Sequence, residues 1–477
     1  MRSTCVMRLA ILCAMLAACG GDDAAAVDAG PDAPGDIAAQ LAALPGVTVT
    51  EMPPANAPPG YRYFVLQVTQ PVDHDAPGAT FQQEVSLIHI DAAAPMVAAT
   101  SGYADFIGDF PSEPTALLHA NQISIEHRFF GSSRPADPAD YGKLTVAQMA
   151  KDEHAIVELL KVIYHGPWIT TGASKGGMTA VYHRRFFPDD VVGTVAYVAP
   201  LSFAIPDDRY QTNIATVGTP ACRTAVQAAA KEMLQNRRAA LLAIAQQQAT
   251  AQHDVYTRIA IGPALESAIL DLEWTFWQYY GIRFCSSVPL PTATDNDLYN
   301  FLDQVSPVAF SNDQETAEFD SYFYQAYAQL GSPGLASVRG DSLPPGLASL
   351  RAFGEADFAG TFPPGVAIPT HDPATMQDID DFVQTQGKSF VFVYGEWDPW
   401  SGGKFRVGNA TDSLELIVAQ GTHGSGLGDL AAADKTAAFA KLQAWTGVTP
   451  MEAQKPAHTK MLRRLQPQLA GHSWSPR

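Results

Sequence analysis

One short segment of the chain has the residue types of a nucleophilic centre. Residues 172–177 read Gly-Ala-Ser-Lys-Gly-Gly, which places Ser174 in a G-x-S-x-G pattern. The pattern alone is weak in a chain with 37 glycines, but a strand pattern at 168–171 precedes it and a helix pattern at 178–187 follows it. Strand, sharp turn and helix make up a nucleophile elbow, whose glycines allow a strained turn and close packing. Ser174 is therefore predicted to be a catalytic nucleophile, with a structural Gly-Ser turn as the alternative.

A serine hydroxyl needs a base to accept its proton, and the base needs an acid to orient it. After an elbow of this kind the chain order is serine, acid, histidine. Asp398 stands just past a strand pattern at 389–394, and His423 stands in a glycine-flanked loop after a strand pattern at 414–418. These two residues are predicted to complete a catalytic triad, and Glu396 is the alternative acid.

Acyl transfer also needs amides that stabilise a negatively charged oxygen in the transition state. In an elbow, one of them is the amide of the residue after the nucleophile, here Lys175, and a second comes from the loop after an earlier strand. The strand pattern at 96–100 leads to Tyr103, whose amide is the predicted second donor. The Lys175 side chain is not required for this role.

Positioning these residues requires a sheet whose strands end at one edge. Strand and helix patterns alternate along much of the chain, which predicts a mostly parallel sheet with helices on both faces. Together with the elbow, this predicts the α/β-hydrolase fold. The predicted strands are residues 84–90, 96–100, 122–126, 168–171, 192–198, 389–394 and 414–418.

A long region without strand patterns interrupts the sheet. It contains Ala- and Gln-rich helical stretches, such as 224–252 and 264–280, and predicts a helical cap inserted between two sheet strands. Cys222 and Cys285 both lie in it and are predicted to form a disulfide, with two separate buried thiols as the alternative. The predicted units are a first hydrolase part at 46–202, the cap at 203–385, a second hydrolase part at 386–450, and a tail at 451–477 without an assigned role.

The N-terminus has the features of an export signal. Positive charge at Arg2 and Arg8 precedes a short apolar run that cannot span a bilayer as a helix. The run ends in Leu-Ala-Ala-Cys-Gly, which resembles a bacterial lipobox and predicts lipidation of Cys19, with plain cleavage nearby as the alternative. We therefore expect a signal peptide at 1–19, a disordered tether at 20–45, and a cell-envelope lipoprotein, at the outer membrane or surface, or a secreted protein.

The charge balance limits the class of partner. The chain has 49 Asp and Glu against 30 Lys and Arg, a net charge of −19, which repels phosphate backbones and argues against nucleic acid. No basic amphipathic stretch indicates membrane binding by the mature domain, so membrane contact is expected only through a lipid anchor. No cofactor and no metal site are predicted.

Several motifs together resemble a known family. They are Glu-His-Arg-Phe-Phe-Gly at 126–131, Gly-Ala-Ser-Lys-Gly-Gly-Met-Thr at 172–179, Gly-Glu-Trp-Asp-Pro-Trp at 395–400 and Gly-Thr-His-Gly at 421–424. The chain, over roughly residues 60–445, resembles the secreted bacterial prolyl tripeptidyl aminopeptidases of the prolyl carboxypeptidase clan of serine peptidases. The resemblance implies the triad Ser174, Asp398 and His423. It also implies an exopeptidase that releases short peptides, tripeptides in particular, from free N-termini, often after proline.

Such an exopeptidase needs a carboxylate to hold the substrate's ammonium. Asp207 and Asp208, where the cap begins, are candidates through charge-assisted hydrogen bonds, and an N-capping pair is the alternative. Glu126, in the charged triplet Glu126-His127-Arg128, is a further candidate for substrate binding, although a buried ion pair supporting the site is the other interpretation.

Three other functions remain open at this point. An esterase or lipase would use the same triad, because the pocket and cap determine which acyl group is cleaved. A prolyl carboxypeptidase-like activity fits the wider clan. A non-catalytic binding module would not need the serine, acid and histidine in catalytic order.

Overall fold

The computed structural model describes residues 35–334 and 346–451. Its centre is one nine-stranded sheet in the order β1-β2-β3-β5-β4-β6-β7-β8-β9. The strands are β1 (Val47–Met52), β2 (Arg62–Pro71), β3 (Thr80–His89), β4 (Met96–Thr100), β5 (Asn121–Ile125), β6 (Trp168–Ala173), β7 (Gly193–Tyr197), β8 (Phe390–Gly395) and β9 (Leu414–Val418). Neighbouring strands pair antiparallel from β1 through β2 and β3 to β5. All the remaining neighbours in the sheet, from β5 and β4 to β9, pair in parallel.

The sheet confirms the predicted α/β-hydrolase fold. The seven predicted strands correspond to β3–β9, and the six of them that pair in parallel are buried runs covered on both faces, except for the partly exposed edge strand β9. Strands β1 and β2 were not predicted. In β2, Phe64, Leu66 and Val68 are buried and alternate with less buried residues, which is the pattern of a strand with one covered face.

Helices cover both faces of the sheet. The helices are α1 (Ile37–Ala42), α2 (Glu113–Leu118), α3 (Val146–Lys161), α4 (Lys175–Phe186), α5 (Asp208–Ile214), α6 (Pro220–Glu232), α7 (Arg238–Gln252), α8 (Ile261–Leu270), α9 (Leu272–Thr275), α10 (Asp295–Val305), α11 (Asp313–Gln325), α12 (Pro373–Gln386) and α13 (Ala432–Thr446). Alternate residues of one strand point to opposite faces, so Ala196 packs with α3, α4 and α12 while Val195 packs with α2 and α13.

Helices α5–α11 lie between β7 and β8 and carry the cap. Much of the cap packs around a hydrophobic cluster of its own, which includes Leu241, Leu265, Trp277 and Leu302. Three π-helical turns extend or join its helices, at Met233–Arg237, Phe276–Tyr280 and Ala326–Leu330. The structure joins Cys222 to Cys285 by a disulfide with a Cα–Cα distance of 5.6 Å, linking α6 to the turn Ile282–Ser287.

Two segments depart from the predicted boundaries. Helix α12, which the boundary at residue 385 includes in the cap, packs on the sheet with α4 and β8 through Met376 and Val383. Helix α1 lies within the predicted disordered tether, so the prediction of disorder is wrong for this segment. Ile37 and Leu41 are one helical turn apart and are buried against the first strands, which gives the helix a hydrophobic face to bury.

The predicted export signal, Cys19 and most of the predicted tether and tail lie outside the described residues. Within residues 35–334 and 346–451, no helix is both long enough and apolar enough to cross a membrane.

Candidate active site

Ser174 occupies a strained turn at the carboxyl edge of the sheet. It stands between β6 and α4 with φ 55° and ψ −126°, a backbone conformation that non-glycine residues rarely adopt. The turn needs small neighbours, because a Cβ on Gly172 would lie 2.4 Å from the Gly176 carbonyl carbon and one on Gly176 would lie 2.1 Å from the Thr100 carbonyl oxygen. The sequence from β6 into α4 therefore builds a nucleophile elbow.

His423 and Asp398 meet beside this elbow. The carboxylate of Asp398 accepts a hydrogen bond of 2.7 Å from His423 Nδ1, and both side chains are buried. Asp398 is also the N-cap of the turn Pro399–Gly403, where its second oxygen accepts from the Trp400 amide at 3.1 Å. A histidine whose Nδ1 donates to a carboxylate has its Nε2 free to accept a proton.

Glu396 does not take part in this pair. Its side chain is exposed, and its carboxylate accepts a hydrogen bond of 2.7 Å from the Gln420 amide. The geometry therefore favours Asp398 over Glu396 as the acid.

The cap contacts the histidine directly. The carbonyl of Gln278, in the π-helical turn Phe276–Tyr280, accepts a hydrogen bond of 2.9 Å from the His423 amide. The rings of Tyr279, from the cap, and Trp400, from the sheet, lie 6.4 Å and 6.3 Å from the His423 ring, centroid to centroid.

Ser174 and His423 face one cavity of about 370 Å³ between the sheet edge and the cap. This is within the size range of sites for small ligands. Aromatic rings dominate its wall, and two carboxylates, Asp271 and Glu315, line it. The aromatic lining residues are Tyr103, Phe106, Trp274, Tyr279, Phe310, Phe319, Tyr322, Phe323, Tyr327, Phe358 and Trp400.

Comparison with known proteins identifies the family to which the chain belongs. Residues 29–470 match the family described as PS-10 peptidase S37. The chain belongs to the peptidase S37 family. It is therefore a serine peptidase, and its resemblance to the prolyl tripeptidyl aminopeptidases is confirmed.

Relatives of this S37 peptidase differ in how much of the chain they match. It is 38% identical over 452 residues to a prolyl tri/tetrapeptidyl aminopeptidase of Streptomyces mobaraensis, covering 92% of this chain and 91% of that protein. A lysosomal Pro-X carboxypeptidase of Mus musculus is 29% identical over 106 residues, covering 20% of this chain and 21% of that protein. The crystal structure of a proline iminopeptidase from Mycobacterium smegmatis aligns with 14% identity and a TM-score of 0.35, covering 80% of this chain and 98% of that one.

The Lys175 side chain has a role that its sequence position did not predict. It is buried, and its Nζ donates to the Gly102 carbonyl while lying 4.8 Å and 5.2 Å from the centroids of the Phe130 and Tyr103 rings. Burial lowers the pKa of this amine well below its usual value, and the charge of Glu153 opposes the shift. Lys175 thus ties the elbow to the loop after β4, which supplies Tyr103.

Glu126 does not reach the cavity of the S37 peptidase. It is buried, and its carboxylate accepts hydrogen bonds from the amides of Asp105 (2.9 Å), Ser132 (2.7 Å) and Ser133 (2.9 Å). The structure therefore assigns it to the support of two loops rather than to the predicted substrate binding, because its oxygens already have partners.

The neighbouring arginine forms the buried ion pair that the charged triplet indicated. Arg128 donates to both carboxylate oxygens of Asp152, on α3, at 2.6 Å and 2.7 Å, and neither side chain is exposed. His127 instead donates from Nδ1 to the Arg128 carbonyl, at 2.8 Å. The triplet is thus a structural support beneath the site.

The structure does not bring Asp207 or Asp208 to the cavity either. Asp207 is the N-cap of α5 and accepts from the Arg209 amide (3.1 Å) and guanidinium (2.7 Å) and from the Phe203 amide (2.8 Å). Asp208 is exposed in the first turn of the helix. The helix-capping interpretation describes this pair, since the charge of Asp207 is already compensated.

The two carboxylates in the cavity were not singled out from the sequence. Glu315 is the third residue of α11, and its amide donates to the N-cap residue Asn312 at 2.8 Å. An acid in the first turn of a helix is common for local reasons, so nothing in its sequence context indicates that this one faces a cavity. Asp271 stands between α8 and α9 without any motif around it.

One group of possible metal ligands lies outside the cavity. Ligand atoms of His154, Glu158 and Asp190 are within 4.8 Å of one another. However, Lys161 donates to Glu158 at 2.9 Å and lies 3.8 Å from Asp190, so a cation of the protein already compensates these acids. We assign no metal to this cluster.

Proposed function

We propose that this S37 peptidase is an exopeptidase that removes short peptides, of about three residues, from free N-termini, with a preference for proline before the cleaved bond. One observation carries the proposal. The Ser174 elbow and the hydrogen-bonded His423–Asp398 pair stand at a cavity beneath the cap that is lined by many aromatic rings and whose charged groups are mainly acidic. The full-length relative from Streptomyces mobaraensis, a prolyl tri/tetrapeptidyl aminopeptidase, supports it.

The residues would divide the reaction between them in two steps. His423 takes the proton of the Ser174 hydroxyl as the oxygen attacks the scissile carbonyl carbon, and returns it to the leaving amine as the carbon–nitrogen bond breaks. Water then attacks the acyl-enzyme, with His423 again taking and returning a proton. Asp398 keeps the imidazole in the required tautomer and stabilises its positive charge.

The negatively charged oxygen of each tetrahedral intermediate would be held by the amides of Lys175 and Tyr103. The Gly102 carbonyl and the Tyr103 N–H belong to one planar peptide unit and point in opposite directions. Lys175 Nζ donates a hydrogen bond to that carbonyl and thereby fixes the plane. The Tyr103 amide now donates to Ser101 Oγ at 3.2 Å, a long bond that an oxyanion would replace.

The charges of the cavity favour the amino end of a substrate over its carboxyl end. A carboxypeptidase needs a cation to bind the terminal carboxylate. Among the described residues that line the cavity, Lys175 is the one Lys or Arg, and its Nζ is already bound to the Gly102 carbonyl. Asp271 and Glu315 can instead compensate an ammonium. Proline is a good occupant beside the aromatic rings near His423, since it is apolar and preordered.

A substrate panel tests the proposal. Tripeptide p-nitroanilides ending in proline, with free and with acetylated amines, would be compared with simple p-nitrophenyl esters. We expect the free-amine peptide to have the highest kcat/KM. Faster cleavage of the acetylated peptide would contradict the exopeptidase, and efficient turnover of esters alone would favour an esterase.

We further propose that the chain is exported and held at the cell envelope by lipidated Cys19. The support is the sequence alone, through the signal-like segment and its lipobox. The variant Cys19→Ser should move the peptidase from the membrane fraction to the soluble fraction of the envelope without loss of activity. Unchanged membrane association would contradict the anchor.

A further inference from the structure

Glu315 is a carboxylate whose hydrogen-bonding capacity is incomplete in the folded protein. Glu315 is 5% exposed, and its Oε2 has no hydrogen-bond partner among the residues that the structure describes. No Lys, Arg or His of the described residues forms an ion pair with it. A buried carboxylate oxygen without a partner is energetically unfavourable, unless a ligand that enters the cavity supplies the missing donor.

The position of Glu315 along α11 sets its distance from the aromatic residues that pack beside the elbow. The rings of Phe319 and Tyr322 pack on the Tyr103 ring, at 5.6 Å and 5.7 Å between centroids, next to the elbow. Glu315 precedes them by four and seven residues, which is about 6 to 10 Å along a helix that rises 1.5 Å per residue. All four residues line the cavity, so this face of α11 runs from the reacting end to Glu315.

That distance matches the reach of a short peptide. Three extended residues span about 10 Å, at about 3.3 Å per residue. A peptide whose scissile carbonyl lies at Ser174 and whose chain follows α11 would therefore bring its N-terminal ammonium close to Glu315.

The local charges leave Glu315 ready for a cation. Burial, together with repulsion from Glu318 and Asp254, raises the pKa of Glu315 to about 7. Without a ligand the carboxylate is thus poorly compensated, and an ammonium within hydrogen-bonding distance would favour its charged form.

We propose that Glu315 binds the N-terminal ammonium of the substrate and, through its distance from Ser174, sets the length of the peptide released. The assignment rests on the proposed exopeptidase function and adds the residue that gives it specificity. Ligands of this site are primary amines at the end of an extended peptide of about three residues.

Asp271 is the other carboxylate of the cavity and a weaker candidate. It is only partly buried, and its carboxylate accepts a hydrogen bond from Ser267 Oγ at 3.4 Å. It stands between α8 and α9, shortly before the turn that carries Tyr279, and not on α11. Substitution of Asp271 therefore tests whether this residue, instead of Glu315, binds the ammonium.

The experiment compares Glu315→Gln with Glu318→Gln, a matched control on the same helix that removes the same charge but does not line the cavity. Both variants would be assayed with the free and the acetylated proline tripeptide p-nitroanilides. Asp271→Asn and the unaltered enzyme would be assayed in the same way. We expect Glu315→Gln to raise KM for the free-amine peptide by roughly 10- to 100-fold, the size of a charge-assisted hydrogen bond, with little change for the acetylated one. Glu318→Gln should not raise KM for either peptide, because it removes a repulsion that disfavours the charged form of Glu315.

The outcomes separate the two proposals. An equal effect of Glu315→Gln on both substrates would overturn the assignment of Glu315, and so would a selective effect of Asp271→Asn alone. In either case the exopeptidase proposal would stand if the unaltered enzyme still preferred the free amine. A preference of the unaltered enzyme for the acetylated peptide would overturn the exopeptidase itself.

A second variant covers a failure of Glu315→Gln to fold. Glu315→Asp keeps the charge and withdraws it by one methylene, so KM for the free-amine peptide should rise by a smaller, selective factor. Unchanged kinetics in a folded Glu315→Asp enzyme would contradict direct contact. Calorimetric binding of the free and acetylated product tripeptides to a Ser174→Ala background provides a readout that does not depend on turnover.

Discussion

The two walls of the cavity differ in how completely their polar groups are bonded. On the sheet side, the Asp398 oxygens are taken by His423 and by the Trp400 amide. On the cap side, three buried polar atoms that line the cavity lack a partner within the described part of the chain: Glu315 Oε2, Thr316 Oγ1 and Tyr327 OH. The sheet side has one such atom, Trp400 Nε1.

This difference separates catalysis from recognition. The sheet side is arranged before substrate arrives, as a reacting centre requires, because its groups must not reorganise during the reaction. The cap side keeps donors and acceptors available for a peptide. Substitutions on the sheet side should therefore change kcat for every substrate, and substitutions on the cap should change KM for particular substrates.

The largest effect is expected at the nucleophile and base. Ser174→Ala and His423→Ala should each lower kcat by about 10⁵- to 10⁶-fold on free and acetylated substrates alike, because the two residues act as a unit. Asp398→Asn should lower it by about 10⁴-fold. Active-site titration with a fluorophosphonate probe gives a second readout, and labelling of the Ser174→Ala protein would contradict the assignment of the nucleophile.

A smaller effect on kcat is expected at Lys175. Lys175→Met keeps the length of the side chain but releases the Gly102 carbonyl, so the Tyr103 amide loses its fixed direction. We expect kcat to fall by about 10- to 100-fold with KM nearly unchanged, in the same proportion for both substrates. The measurement is steady-state kinetics, with binding of the product tripeptide as the control. A rise in KM confined to the free-amine peptide would instead make Lys175 part of recognition.

The contrast between the walls also explains what could be predicted from the sequence. The Ser174 elbow is a local pattern of strand, turn and helix, and Asp398 and His423 each follow a strand in the required order, so topology alone brings them to one edge. Glu315 could not be found in this way, because an acid three residues after Asn312 has the signature of a helix start. Its exposure to a cavity depends on how the cap helices pack.

The corrected predictions have the same cause. Asp207 is a candidate because the cap begins there, and Glu126 because it belongs to a charged triplet, but the carboxylates of both have local hydrogen-bond partners. Such partners, Arg209 for Asp207 in particular, stand within a few residues in the chain and leave these acids little capacity to bind substrate.

The disulfide should matter for the cap and little for the sheet. It closes a loop between positions 63 residues apart, so the double variant Cys222→Ala/Cys285→Ala should lower the free energy of unfolding by about 2–4 kcal/mol. Differential scanning calorimetry with and without a reductant measures this loss. An unchanged melting temperature would show that the buried cap cluster is sufficient by itself.

The smallest effect is expected from a buried acid in the cap. Burial raises the pKa of Glu273 to about 7, while hydrogen bonding by Gln227 and the charge of Arg223 oppose the shift. Because the folded pKa lies above the unfolded value, the stability contributed by the neutral form is present below about pH 4.5 and is lost as pH rises through 7. Glu273→Gln should therefore raise the free energy of unfolding at pH 8 by at most about 3 kcal/mol relative to the unaltered protein. The melting temperature, which is the measurement, should rise at pH 8 and stay unchanged at about pH 4.5. An equal change at both pH values would contradict this origin.

The hydrogen bond from the His423 amide to the Gln278 carbonyl joins the backbone of the base to the cap. Any movement of the cap away from the sheet would therefore remove one of the constraints on the base. We expect a folded protein, too large to fit beneath the cap, to be a poor substrate even where its chain could reach the serine. Such a peptidase would leave the intact proteins around it uncleaved.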